Sequence, residues 1–247
     1  MEAVYDEIGH SYVATRQPDP RLAQAIRMAL GEARTVLNVG AGTGSYEPTD
    51  LQVVAVEPSR AMIRQRPAGT APVVQAVAEH LPWADAAFDA TLAILTVHHW
   101  SDQTAGLTEL RRVARHRVVL LTWDPACRDA FWLTTQYVPE VVDFDVPRFP
   151  SMSELARCLG RIEARPLLIP HDCQDGFLGA FWRRPEAYLD PNVRRAMSGF
   201  AQLPHEVLHA GLARLAADLR SGQWDVQFGW VRDQASLDLG YRLIIAP

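Results

Sequence analysis

Thr35-Val36-Leu37-Asn38-Val39-Gly40-Ala41-Gly42-Thr43-Gly44, followed shortly by Gln52-Val53-Val54-Ala55-Val56-Glu57, is the stretch that decides the fold. Each piece is an apolar run of strand length. The first ends in three glycines at alternate positions, the second in a carboxylate. Strand, glycine turn, crossover, strand and acid make a nucleotide-binding half-site. Its glycines admit a ligand that a Cβ would block, and its acid can accept hydrogen bonds from a ribose diol. As a pure ribose ligand, Glu57 could be removed with little effect on the ligand-free fold. Residues 40–51 separate the two runs and include Pro48. A parallel crossover needs about a dozen residues, so the spacing predicts a helix of one or two turns at most. The glycines run G-x-G-x-G, and Ser45 stands where a G-x-G-x-x-G dinucleotide site has its third glycine. A pyrophosphate also calls for a longer helix with its N-terminus facing the phosphates. Both features favour a ligand without a pyrophosphate, against the rival class of nicotinamide- or flavin-dependent oxidoreductases.

Outward from this stretch, strands and helices alternate. Asp19 and Pro20 open a helix that Gly31 closes, with Leu22, Ile26 and Leu30 on one face. Strands are expected at about 35–39, 52–56, 72–77, 90–95 and 117–123. Ser59 starts a short helix to about Gln65, and Ser101 or Asp102 caps another to about Ala114. This alternation predicts a doubly wound α/β sheet. Beyond Asp124 the rhythm changes. Ser153 is expected to cap a helix ending at Gly160, with a sixth strand at about 162–169. Helices are expected around 176–183, 191–200 and 204–220, and a final strand at 237–246. The expected organisation is a single domain with its core at about 19–123, 151–170 and 236–247. Residues 124–150 and 171–220 form a helical cap over the carboxyl ends of the strands, where such sheets bind ligands.

The motif at Gly40, Ala41, Gly42 and Gly44 with Glu57-Pro58 resembles the first motif and following acid of class I S-adenosylmethionine-dependent methyltransferases. Residues 75–89, Gln-Ala-Val-Ala-Glu-His-Leu-Pro-Trp-Ala-Asp-Ala-Ala-Phe-Asp, are similar to the family's adenine-binding loop and the start of its fourth strand. Leu92-Ala-Ile-Leu-Thr-Val-His-His-Trp-Ser-Asp102 is similar to the strand and loop that face the methyl group. The likeness covers about residues 5–124 and the last strand. It implies a mostly parallel seven-stranded Rossmann-like sheet with one antiparallel strand near the C-terminus, and S-adenosyl-L-methionine as cofactor. It also implies cofactor contacts from Ala78 and Glu79 through backbone groups, from Leu95, and from an N-terminal segment carrying Tyr12 and Arg16. An arginine there could fork a carboxylate. Two positions depart from the family pattern: Asn38 and Val77 stand where Asp is usual.

His98 and His99 end the expected fourth strand beside the methyl position. Strand alternation would point them to opposite sides, leaving one to face an acceptor as base or orienting group. The alternative is that one caps the following helix and the other packs on Trp100. Asp124, at the end of the fifth strand, could orient a histidine or the acceptor, or simply form a turn before Pro125. Trp182, Arg183, Arg184 and Tyr188 are candidates for an acceptor pocket or for packing. The expected reaction is methyl transfer to a small-molecule acceptor at O, N or C. The non-enzyme alternative is an inactive cofactor-binding partner protein.

Composition narrows the partners. The 247 residues are 48% hydrophobic and carry a net charge of −5. No basic stripe suited to a nucleic acid is present, and the fourth strand ends Ala93-Ile94-Leu95-Thr96, not in the aromatic clamp of DNA amino-methylation. No apolar run reaches the roughly 20 residues of a membrane span. The acidic first residues do not read as a signal peptide. The three cysteines, Cys127, Cys158 and Cys173, are odd in number and widely spaced. They suit a reducing cytoplasm, with neither a disulfide framework nor a metal site.

Overall fold

The computed structural model describes residues 17–195 and 197–247. Helix α1 (Pro20–Ala29) is capped by the buried Asp19, which accepts from the Arg21 N–H. Strands β1 (Thr35–Val39) and β2 (Gln52–Val56) fall where the apolar runs placed them. They pair in parallel over their full length. The crossover between them holds only turns, without even the short helix expected. Helix α2 (Arg60–Arg64) is capped by Ser59. Strand β3 shrinks to Val73–Val74. It lies at the sheet edge with one neighbour, and the turn closed by the His80 N–H on the Val77 carbonyl ends any extension of it.

Strand β4 (Phe88–Ile94), helix α3 (Gln103–Val113) and strand β5 (Ala114–Trp123) complete the next unit. Helices α4 (Glu140–Asp145) and α5 (Met152–Leu159) follow. The cap of α5 is Ser151, two residues before the expected Ser153. Ser151 exchanges hydrogen bonds with Glu154, and only a serine three residues ahead of an acid can form that reciprocal box. The expected sixth strand breaks in two, β6 (Glu163–Pro166) and β7 (Ile169–Pro170). Each piece ends in a proline, which has no N–H to continue a ladder. β7 pairs with β8 (Ser236–Leu237) in a separate two-stranded sheet. Most of the remaining span is helical in short pieces: α6 (Pro191–Arg194), α7 (Ser198–Ala201), α8 (His205–Ser221) and α9 (Gln223–Phe228). The helix expected at 176–183 is a 3-10 turn at Leu178–Phe181. The last strand is β9 (Tyr241–Ala246).

The main sheet runs β3-β2-β1-β4-β5-β9-β6. β9 is antiparallel to both its neighbours, and the other pairings are parallel. Side-chain alternation along the strands builds two cores. Val36, Leu121 and Ile245 join α1 and the aromatic residues of the 131–231 span on one face. Leu37, Leu120 and Ile244 meet Leu107 and Leu110 of α3 and Leu155 of α5 on the other. Burial on both faces explains why these strands read as continuous apolar runs.

Candidate functional site

The glycine turn sits at the carboxyl end of β1, and Gly40, Gly42 and Gly44 all adopt positive φ. The reasons differ between them. A Cβ on Gly40 would run into the Thr96 side chain, so packing against the loop after β4 by itself calls for glycine here. At Gly42 a Cβ would meet only the Met62 methyl at 3.3 Å, and the φ of +54° is what disfavours other residues. Glu57 is buried at the tip of β2. One carboxylate oxygen accepts from the Gly42 N–H at 2.8 Å and the other from the Ser59 N–H at 2.9 Å. These two bonds tie the glycine turn to the chain that enters α2. The acid therefore has a structural role as well, against the expectation that its loss would spare the ligand-free fold.

Asn38 is explained by what surrounds it. Its amide donates to Glu47 Oε1 at 3.2 Å, and Glu47 is paired with Arg66. Arg66 reaches both Glu47 oxygens at 2.8 Å and also donates to the carbonyls of Gly42 and Ala71. The side chains are only 4% and 7% exposed. The negative charge that the family places at position 38 thus comes from Glu47, and a second carboxylate beside it would be repelled. Asn38→Asp should lower the unfolding free energy by about 2–3 kcal/mol, the range for a lost hydrogen bond to a charged group, here replaced by like-charge repulsion. Because the like charge would drive one carboxyl to protonate, the loss measured by urea unfolding should be smaller at pH 5 than at pH 8. A variant as stable as the original at pH 8 would show that Glu47 tolerates the second acid.

Ala78 is buried, and Glu79 follows it in the loop before β4. The Glu79 carboxylate accepts from the Ser101 N–H and hydroxyl and from the Asp102 N–H. Burial pushes this carboxyl up, but those donors outweigh it and hold it below its ordinary range. Glu79 therefore ties the 78–79 loop to the start of α3, leaving its backbone as the part able to face a ligand. Val77 is exposed. Pro58 accepts through its carbonyl from Gln75 beside it.

The histidines depart from the strand geometry expected of them. β4 stops at Ile94, Leu95 takes φ +48°, and Val97–His99 form a 3-10 turn. The rings consequently lie side by side with centroids 3.8 Å apart, and His98 stacks on Phe149 at 4.0 Å. His98 Nδ1 is buried with no hydrogen-bond partner. Burial lowers the His98 imidazole well below its ordinary value, with His99 and Arg148 adding to the effect. Burial also lowers His99 to about 4, helped by Arg148. Both rings are neutral at neutral pH.

His98 and Leu95, but not His99, border a cavity of about 100 Å³ beyond the ends of β4 and β5. Its walls come from Trp123, the 127–149 span, α7 and the entry to β9. Asp124 does not line it. Its carboxylate caps the turn at Pro125–Cys127 through the Ala126 N–H and stands 4.0 Å from Arg242, the turn-forming alternative. Trp182 and Tyr188 are fully buried, bonded to the carbonyls of Ile169 and Leu178, and serve packing. Tyr12 and Arg16 lie outside the described residues. Two features were missed in the sequence. Tyr46, at φ +63°, donates from the crossover to the buried Asp175 at 2.8 Å. Asp145, at the end of α4, lines the cavity. No local pattern marks either one: the Tyr46 partner lies 129 residues away, and the cavity that Asp145 lines is built from distant segments. Among the described residues no His, Cys, Asp and Glu cluster could hold a metal. No described helix is long and apolar enough to cross a membrane.

A methyltransferase-domain family model matches residues 37–122, spanning β1 to β5. An Anabaena variabilis protein, named in its crystal structure as a methyltransferase from an antibiotic biosynthesis pathway, is 35% identical. The match covers 94% of this chain and 98% of that one, with a TM-score of 0.86. The YcgJ protein of Bacillus subtilis, 18% identical with coverages of 91% and 96%, shares the fold at a TM-score of 0.51. So does the geranyl diphosphate C-methyltransferase of Streptomyces coelicolor A3(2), solved with S-adenosyl-L-homocysteine, at 15% identity, coverages of 91% and 76%, and a TM-score of 0.51. No curated protein matches the chain.

Proposed function

Because the chain belongs to the class I S-adenosylmethionine-dependent methyltransferases, we propose that it methylates a small molecule bound in the cavity beside His98. The observation that carries this reading is the cavity itself, opening beside Leu95 and His98 just past the strand ends. The name of the Anabaena protein supports a small-molecule acceptor, and the absence of a basic stripe supports one that is not a nucleic acid. The spans around 124–150 and 171–220 act as the cap that closes the cavity, and the enzyme works in the cytoplasm.

The cofactor fits the residues present. Gly42, at a positive φ that disfavours a side chain, and the buried Glu57 carboxylate at the tip of β2 form the cradle for its ribose and chain. Gly40, Ala41, Gly44, Pro58, Ala78, Glu79 and Leu95 complete the border. When bound, the cofactor would supply an electrophilic methyl carbon on a sulfonium that is itself the leaving group. The chain has to align the acceptor and exclude water, which the apolar cavity does. His98, neutral and with an unpartnered ring nitrogen, takes or holds the acceptor proton. Asp124 acts only through the loop it caps.

Calorimetry tests the cofactor half of this reading. S-adenosylhomocysteine should bind with micromolar affinity, about −8 kcal/mol, and NAD should not bind comparably. Glu57→Ala should weaken S-adenosylhomocysteine binding by about 1.5–3 kcal/mol, the range for hydrogen bonds to a charged group. It should also lower the melting temperature without ligand, because the Gly42 and Ser59 N–H groups lose their acceptor. Unchanged affinity would reduce Glu57 to a turn-fixing residue.

A further inference from the structure

Besides His98, the cavity wall carries a carboxylate, Asp145, that no donor among the described residues satisfies. Asp145 ends α4, and the N–H groups of Arg148 and Phe149 fold back onto its backbone carbonyl. Its carboxylate lines the cavity, where a Cβ on Gly199 would stand 3.9 Å from Oδ2. Among the described residues no hydrogen bond or ion pair reaches that carboxylate. The nearby cations are committed elsewhere. Arg148 donates to Gln202 Oε1 at 2.9 Å and lays its guanidinium over the Phe144 ring at 3.6 Å. Arg128, also on the cavity wall, pairs with Asp143 at 3.3 Å. Burial pushes the Asp145 carboxyl up to about 6 against the pull of Arg148, so it is ionised above neutrality yet poorly solvated. Asp145 is half-buried; a charge so placed without a hydrogen-bond donor is costly to keep, and an opposite charge arriving with a ligand would offset that cost.

The rest of the wall suits the same visitor. Trp123, Phe131, Phe149, Phe177 and Tyr241 border the cavity, and aromatic faces attract a cation through their quadrupoles. The volume of about 100 Å³ is on the scale of the roughly 150 Å³ that accepts a benzene-sized ring. On these grounds we propose that the methyl acceptor carries a protonated basic nitrogen, held by the Asp145 carboxylate, with its carbon frame against the aromatic wall. This rests on the reading of the cavity as the acceptor site. It adds the substrate class: small amines in preference to neutral or acidic molecules of the same shape. Asp145 is then a specificity-determining residue.

The test compares 2-phenylethylamine with 2-phenylethanol, which differ in the terminal group, by calorimetry at pH 8 with saturating S-adenosylhomocysteine. The amine should bind at least tenfold more tightly than the alcohol. Asp145→Asn should remove that preference by weakening the amine tenfold or more, with the alcohol within twofold and S-adenosylhomocysteine affinity intact. Equal binding of the two probes to the unaltered protein, no binding of either, or a preference surviving in Asp145→Asn would each overturn the proposal. The first two outcomes need no variant to fold. A failure of S-adenosylhomocysteine itself to bind would instead sink the underlying functional reading, so the two failures are separable.

Discussion

Arg66→Met is expected to cost about 3–5 kcal/mol of unfolding free energy, the range for breaking a buried ion pair from one side. The side chains of Arg66 and Glu47 are almost wholly removed from water, so deleting the guanidinium strands the carboxylate. Only the Asn38 amide and the Ala71 N–H would remain to solvate it. At about 2–4 °C per kcal/mol for a chain of this size, the melting temperature should fall by roughly 6–20 °C. The Gly42 carbonyl would also lose the donor that buttresses the glycine turn, so S-adenosylhomocysteine should bind more weakly than to the original protein. Pairing the change with Glu47→Leu should return much of the stability, since a buried pair replaced by apolar groups is often nearly neutral. It should not return the cofactor affinity, because the Gly42 carbonyl stays unsupported. Urea unfolding of the single and double variants checks both parts. A loss under about 1 kcal/mol for Arg66→Met would mean that water replaces the guanidinium, as it does at surface pairs.

His98→Ala should lower kcat for methyl transfer by roughly 10² to 10⁴, the contribution of a positioned proton acceptor, with S-adenosylhomocysteine affinity nearly unchanged. His99→Ala should do less, because His99 supports the His98 ring without bordering the cavity. The pH profile separates this role from that of an ordinary histidine. Burial lowers both imidazoles, His98 well below 6.5 and His99 to about 4. A group with a lowered value keeps its neutral form until the pH falls through that lowered value. At saturating acceptor, kcat should therefore stay level from pH 8 to about 5, where a histidine of ordinary value would already have lost most activity. Protonation of Asp145 near 6 would act on acceptor binding and enter KM. If neither histidine variant slows transfer tenfold, catalysis is alignment alone, and the stack on Phe149 is the whole purpose of the pair.

The sequence by itself determined the sheet's central strands, because β1, β2, β4 and β5 are buried on both faces and leave uninterrupted apolar runs. It also located the glycine turn and the acid after β2, since positive φ and a strand-tip carboxylate have local signatures. It determined the caps of α1 and α2 by the same kind of short-range chemistry and narrowed that of α3 to Ser101 or Asp102, of which Asp102 is the cap. What it did not determine are features whose partners lie far along the chain. Thr96, fifty-six residues away, is what requires glycine at position 40. Arg66 and Glu47 explain Asn38, and Asp175 anchors Tyr46 across 129 residues. The histidines were found, but their arrangement was not. A positive φ at Leu95 and the 3-10 turn after it end the strand early and bring two side chains expected to alternate into contact, with their rings tilted at 46°. Asp145 carries no motif at all, and its proposed role arises only where packing half-buries it on the cavity wall and leaves it without a donor. Local propensities write the scaffold into the sequence, whereas burial and charge pairing belong to the assembled chain, where the tertiary structure decides the site.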